Sequence, residues 1–131
     1  MTPTRLAVAL RAHAQGLYCL EAAAELLIAQ SWLHRTDFTN KHISIRHILV
    51  DGRTTAVVDW PSAITALDTG DLPCSAGEKR MLRMTASLAD GIPVDLRDNI
   101  TGIDNHNVQL LLKAVLHASG QRPTPRRHDH L

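Results

Sequence analysis

The sequence predicts an α+β fold that is mainly helical, in which one antiparallel β-hairpin, over about residues 43–60, packs on a bundle of four to five helices. A single Asp-Gly dipeptide separates two runs that are rich in β-branched residues, and the other long segments carry apolar residues at helical spacing. Aromatic residues make up only 3% of the chain. The core must therefore be built from aliphatic side chains and Ala, which suits a helical bundle.

The first segment, residues 4–34, is rich in Ala and Leu and is predicted to be helical. Gly16 indicates either a kink or a break between two shorter helices. The expected buried stripe consists of Leu6, Leu10, Leu17, Leu20, Ala24 and Leu27. Residues 35–42 are polar and are expected to form a loop that leads into the hairpin.

The hairpin has a predicted register, because Asp51-Gly52 favours a two-residue type I′ turn. Counting outward from Val50 opposite Arg53 puts four opposed pairs on one face: Leu49–Thr54, His47–Ala56, Ile45–Val58 and Ile43–Trp60. This face is mostly apolar and is expected to lie on the helices, while the mixed opposite face meets solvent or a partner. A lone hairpin leaves two unpaired edges, so we expect a homodimer with a hairpin edge or the mixed face in its interface.

Two helices are expected directly after the hairpin. Pro61 suits the first turn of a short helix over 61–68. Ser75 and Glu78 have the spacing of a capping box, which opens a helix that ends at Gly91. The predicted apolar face of this second helix contains Met81, Leu82, Thr85, Leu88 and Ala89.

The last predicted helix is capped by Asp104 and ends at Gly120, and one helical turn is expected before it, around 95–99. Its apolar residues repeat at strong helical spacing: Val108, Leu111, Leu112, Val115 and Leu116. We expect residues 1–120 to form a single domain and residues 121–131, rich in Pro, Arg and His, to be a disordered basic tail.

Composition bounds the setting in which the protein works. Two cysteines on different predicted elements, Cys19 and Cys74, do not resemble a disulfide framework, and no run of 18 apolar residues exists. We therefore expect a cytoplasmic protein that does not bind a membrane. Arg outnumbers Lys eleven to three, a bias that we interpret as bacterial. A chain of 131 residues can bury enough surface to fold without a cofactor, and none is expected.

Three residues are weak candidates for catalysis. Cys74 lies just before the predicted Ser75 cap, where a helix dipole lowers a thiol's pKa, but no base is adjacent in sequence and a structural role is favoured. His47 is predicted on the apolar face of the hairpin, where a buried, hydrogen-bonded histidine is the favoured interpretation. His106, beside Asp104, could edge a polar pocket, although ordinary helix capping is favoured. Cys19 is expected in the core.

The remaining polar residues do not match a metal-site pattern. Glu21 and Glu25 lie one helical turn apart, but the Glu-x-x-His that completes carboxylate metal sites in helix bundles is absent from their helix. We therefore expect these two side chains to lie on a solvated helix face and predict no metal site.

Nucleic-acid binding is an alternative that depends on five arginines. These are Arg46 and Arg53 on the hairpin and Arg122, Arg126 and Arg127 in the tail. A β-ribbon with a basic arm could contact a nucleic-acid groove. The formal net charge is only +1, and the spacing of a helix-turn-helix is absent, so this interpretation is not favoured.

The function that the sequence favours is that of a small, non-catalytic domain that binds a protein, a small ligand or a second copy of itself. Two alternatives remain open. One is the nucleic-acid-binding regulator, and the other is a small enzyme that uses Cys74 or a pocket of His and Asp side chains.

Overall fold

A computed structural model describes residues 1–47 and 51–121 of the chain. Within these residues seven α-helices, one 3-10 helix and one antiparallel pair of strands confirm the mainly helical α+β class. The elements are α1 (Pro3–Ala14), α2 (Tyr18–Ala29), the 3-10 helix (Trp32–His34), α3 (Thr36–His42), β1 (Ile43–His47), β2 (Thr54–Val58), α4 (Trp60–Thr69), α5 (Ala76–Asp90), α6 (Leu96–Ile100) and α7 (Asn105–Ala118).

The N-terminal segment breaks at Gly16, whose φ of 87° is a left-handed conformation that favours glycine. Helices α1 and α2 fold back on each other, and the Arg11 guanidinium donates to both carboxylate oxygens of Glu25, at 2.7 and 2.9 Å. Leu17 precedes α2 and is exposed, so its predicted burial is wrong, and Leu20 is half-buried. The other members of the predicted stripe are buried: Leu6, Leu10, Ala24 and Leu27.

The predicted loop over residues 35–42 is wrong, because this stretch contains helix α3. Phe38 is completely buried and its ring centre lies 5.2 Å from that of Trp32. His42, one helical turn later, packs on Phe38 with the ring centres 5.5 Å apart. Two buried rings four residues apart stabilise a short helix that its polar neighbours do not reveal.

The hairpin exists, but its predicted register is wrong by two residues. The observed pairs are Ile43–Val58, Ser44–Val57, Ile45–Ala56, Arg46–Thr55 and His47–Thr54. A type I′ turn needs positive φ at both central residues. Only Gly52 has one, while the Asp51 carboxylate accepts a hydrogen bond from the Arg53 N–H. The predicted pairs that involve Leu49 and Val50 lie outside the described residues.

The register is decided at the far end of β2. The Asp59 carboxylate accepts a hydrogen bond from the Ser62 N–H and so caps α4, whose first residue is Trp60. Trp60 therefore cannot continue the strand opposite Ile43, and Val58 takes that place. A shift of two residues keeps each side chain on its predicted face.

The apolar face of the hairpin packs on the core mainly through β2. Ala56 is completely buried, and Ile43 and Val58 pack against the main core. The rest of β1 is exposed, including Ile45. The hairpin is therefore attached to the helices by one strand, with β1 at the edge.

The C-terminal helices begin and end where the sequence predicts. The Ser75 hydroxyl accepts a hydrogen bond from the Glu78 N–H at 3.2 Å, and the Glu78 carboxylate accepts one from the Ser75 N–H at 2.9 Å, which is a complete capping box. Asp95 and Asp104 cap α6 and α7. These ends follow from contacts within four residues, which sequence patterns report directly.

Two groups of buried side chains form the core. The larger group joins α1, α2, α3, β2, α4 and α5, and the smaller consists of Ala22, Leu26, Met81 and Ala114. The smaller group is where α7 packs against α2 and α5; α7 contributes the buried Ala114, and its half-buried Leu110, Leu111 and Ala118 pack against the group. Helix α7 is thus a peripheral element.

Candidate interaction surface

Helix α7 lies against α2 through a narrow side that has a polar contact near each end. The Gln30 amide donates a hydrogen bond to the Asn107 side-chain oxygen at 2.7 Å, and His117 Nε2 lies 2.9 Å from a Glu21 carboxylate oxygen. Between them Ala114 is buried. Asn107, Ala114 and His117 share one side of a helix, so these contacts determine how α7 is rotated about its axis.

This rotation turns an apolar side of α7 outward. Leu112, Val115 and Leu116 are 59%, 53% and 40% exposed. They belong to the stripe that repeats at helical spacing in the sequence. Leu111 and Val108 are half-buried. We call Val108, Leu112, Val115 and Leu116 the outward face of α7.

The outward face is uncharged. Successive helical residues are about 100° apart, so this arc of α7 also includes Asn105, Gln109 and Ser119. The one Asp, Glu, Lys or Arg of α7, Lys113, instead lines a groove beside Glu25 of α2. Apolar residues flanked by uncharged polar residues are typical of a surface that another apolar surface covers.

Tyr18, at the start of α2, lies beside the C-terminal end of α7. The Tyr18 ring stands edge-on to His117 with ring centres 6.1 Å apart, and Tyr18 is 55% exposed. Its neighbour Leu17 is 58% exposed. A Cβ at Gly120 would lie 3.2 Å from the Tyr18 ring, so glycine allows the end of α7 to lie close to it. Sequence reasoning missed this contribution, because Leu17 was expected in the core.

Cys74 does not have the activated environment that its position predicts. It is half-buried against the main core, and burial raises the pKa of its thiol, with the Glu78 carboxylate acting in the same direction. Desolvation, the largest cause, therefore opposes the lowering that a helix dipole would produce. Cys19, expected in the core, is exposed, and its sulfur lies 3.9 Å from the Ala118 carbonyl oxygen.

The two candidate histidines lie in separate places. His47 is exposed, so its predicted burial is wrong, and its Nδ1 lies 3.1 Å from the Thr54 hydroxyl. His106 is exposed in the first turn of α7, where the Asp104 carboxylate accepts the Asn107 N–H as an ordinary cap. In the parts of the chain that the structure describes, no hydrogen bond joins Cys74, His47 and His106 to one another.

The two hairpin arginines differ in their contacts. Arg46 is exposed on the edge strand β1. Arg53 donates a hydrogen bond to the Ala12 carbonyl oxygen at 3.1 Å, and a second guanidinium nitrogen lies 4.0 Å from the Asp51 carboxylate. Arg122, Arg126 and Arg127 lie outside the described residues.

A buried His–Ser pair was missed by the sequence analysis. His42 is only 5% exposed, and its Nδ1 lies 2.7 Å from the Ser62 hydroxyl. Burial lowers the pKa of His42, so the imidazole is neutral at pH 7. Its Nε2 has no hydrogen-bond partner among the described residues, so the pair lacks the third group that orients the base in hydrolase triads.

The described residues contain neither a cluster of metal ligands nor a helix that could span a membrane. Over residues 1–47 and 51–121, no three His, Cys, Asp or Glu side chains are close enough to hold a metal ion. Glu21 and Glu25, whose spacing suggested a shared face, contact His117 and Arg11 separately. None of the helices in the same residues has the length and apolar character needed to cross a bilayer.

Comparison with known proteins adds no relative: no protein-family model, no curated protein and no solved structure significantly matches this chain.

Proposed function

We propose that this chain is a small, non-catalytic protein-interaction module that pairs with a second copy of itself through the outward face of α7. The observation that carries the proposal is the exposure of Leu112, Val115 and Leu116 on a helix whose other side is already packed. Leaving such side chains in water forgoes the free energy that their burial would supply.

A second copy is the occupant that the charge pattern favours. In a two-fold symmetric interface the same patch of both copies meets, so a patch with charges of one sign would face like charge. The outward face has no such charge. An antiparallel pairing centred near Leu112 would place Val108 beside Leu116 of the other copy, with the helix dipoles opposed.

The size of the surface is consistent with this pairing only if the adjoining residues take part. A stable interface buries about 800 Å² on each partner, which is more than one side of a 14-residue helix supplies. Leu17 and Tyr18 are exposed, and the Tyr18 ring contacts His117 near the C-terminal end of α7. We therefore include both in the proposed interface, in place of the hairpin edge expected from the sequence.

The proposal includes a cytoplasmic location in a bacterial cell. Both cysteines are free, and Cys19 is exposed, which suits a reducing compartment. The excess of Arg over Lys supports a bacterial origin. The enzyme and nucleic-acid alternatives have less support, because burial raises the pKa of Cys74 and Arg53 is already engaged by Ala12 and Asp51.

The experiment that tests the proposal compares two equally exposed apolar residues. Leu112→Glu places a charge on the outward face, and Val8→Glu does so on α1, where Val8 is 61% exposed. Sedimentation equilibrium over a range of concentrations should give a dimer for the natural chain and for Val8→Glu, and a monomer for Leu112→Glu. Circular dichroism confirms that each variant is folded.

A natural chain that stays monomeric at all concentrations would refute the self-association, as would a folded Leu112→Glu variant that still dimerises. A dimer lost equally in both variants would place the interface elsewhere.

A further inference from the structure

A crevice of about 210 Å³ lies between α1, α2, β2 and the adjoining ends of α4 and α5, away from the outward face of α7. Small and aliphatic side chains line its interior, among them Leu27, Ala24 and Ala56. A cavity of about 150 Å³ with apolar walls holds a benzene molecule. The crevice therefore has room for one aromatic ring with a short linker.

The mouth of the crevice is electronegative. The exposed residues of its lining are His13 and Asp90, which lie in the last turns of α1 and α5. The C-terminal ends of helices carry partial negative charge. Asp90 adds a full charge, and its carboxylate forms no ion pair with any described residue.

Trp60 adds an aromatic wall, and it is the first residue of α4. The positive end of α4 does not offset the negative mouth, since the Asp59 carboxylate caps it by accepting the Ser62 N–H at 3.1 Å. Aromatic faces attract cations as well as apolar groups.

We propose that this crevice binds a small arylalkylamine, with the ring among the alanines and the ammonium group at the mouth beside Asp90. The shape selects a single ring, and the two helix ends and the carboxylate select a positive charge. This site goes beyond self-association and does not depend on it.

The test uses three probes of similar shape and different charge: 2-phenylethylamine, 2-phenylethanol and 3-phenylpropionate. Each is titrated into the ¹⁵N-labelled full chain at pH 8, where a free imidazole is uncharged, and amide shifts are followed. We expect the amine to bind most tightly and the carboxylate most weakly. The shifts should centre on Ala24, Val57 and Asp90, which line the crevice.

Two kinds of variant separate the contribution of charge to ligand binding from the contribution of the crevice's shape. Asp90→Asn should weaken the amine about fivefold and leave the alcohol unchanged, because Asp90 is exposed and the crevice keeps its shape. Ala24→Leu should abolish binding of both probes by filling the crevice. If Ala24→Leu does not fold, Ala89→Leu on the opposite wall serves the same purpose, since Ala89 is only half-buried.

The site is overturned if the amine causes no shifts at the crevice, or if a folded filled variant binds it as before. Equal affinity for the amine and the carboxylate, or an unchanged amine affinity in Asp90→Asn, would overturn the assignment of an ammonium ligand.

Discussion

Helices α5 and α7 begin and end in the same way, but they differ in how much apolar surface they bury. Each has a polar N-cap, Ser75 or Asp104, and their lengths are 15 and 14 residues. Five residues of α5 are buried, against one of α7. Two helices with similar local signals thus have different roles, because one crosses the core and the other has a partner on a single side.

The cause of this difference lies outside both helices. Helix α5 contacts the large and the small groups of core residues through Leu82 and Met81. Among the described residues α7 packs on α2 and on the edge of α5, and it has polar contacts to α2 at Asn107 and His117. Apolar periodicity therefore predicts that a helix has a partner surface. It does not predict whether that surface belongs to the same chain.

The largest expected effect is a difference in the free energy of unfolding between one substitution in α5 and one in α7. Leu82→Ala in α5 should lower the free energy of unfolding by about 3 kcal/mol, because Leu82 is 1% exposed and its removal leaves a cavity. Leu112→Ala in α7 should cost less than about 0.5 kcal/mol in the monomer. Urea unfolding, extrapolated to the lowest protein concentrations, measures both, and equal losses would contradict the comparison.

The N-caps of α5 and α7 should contribute equally to stability, although the two helices bury different amounts of apolar surface. Ser75→Ala and Asp104→Ala should each lower the free energy of unfolding by about 1 kcal/mol, because each leaves a first-turn N–H without its acceptor. Ser44→Ala on the exposed strand β1 is the control and should cost less than about 0.5 kcal/mol. A cap effect confined to α5 would mean that the end of α7 is frayed.

The smallest expected effect is a pH dependence of the stability, which comes from the contact between α7 and Glu21 of α2. Hydrogen bonds from His117 and from the Gly16 N–H lower the pKa of Glu21 below its usual value. A carboxyl whose pKa is lower in the folded state stabilises the fold at pH values above its unfolded-state pKa. This stabilisation is lost as the pH falls through the folded-state pKa. The stability advantage of the natural chain over Glu21→Gln should therefore disappear between about pH 5 and pH 2.

The readout for this pH dependence is the NMR signal of Tyr18, whose ring stands edge-on to His117. Glu25→Gln is the control, because it removes the contact of α2 with Arg11 and leaves α7 in place. A Tyr18 signal that moves equally in both variants would show that Glu21 has no specific part in holding α7.

Much of the fold could be predicted because it depends on short-range contacts. The break at Gly16, the capping box at Ser75 and the cap at Asp104 each involve residues within four positions of one another. Helix α3 escaped prediction, since its stability comes from burial of Phe38 against Trp32 and not from its own polar sequence. The candidate surface was predicted only as an apolar stripe on α7, because helical spacing does not report which side of the helix other elements cover.

The sequence by itself determined where most helices start and stop, since capping side chains and left-handed glycines act on the adjacent turn. Three features depend on tertiary contacts: the rotation of α7, the register of β1 against β2 and the raised pKa of Cys74. Each of these depends on groups far apart in the chain: Glu21 contacts His117, and Cys74 packs on the core. For the register, the Asp59 N–H donates a hydrogen bond to the His42 carbonyl oxygen at 2.8 Å. Solvent exclusion and long-range hydrogen bonds exist only after the chain has folded, so the local pattern cannot report them.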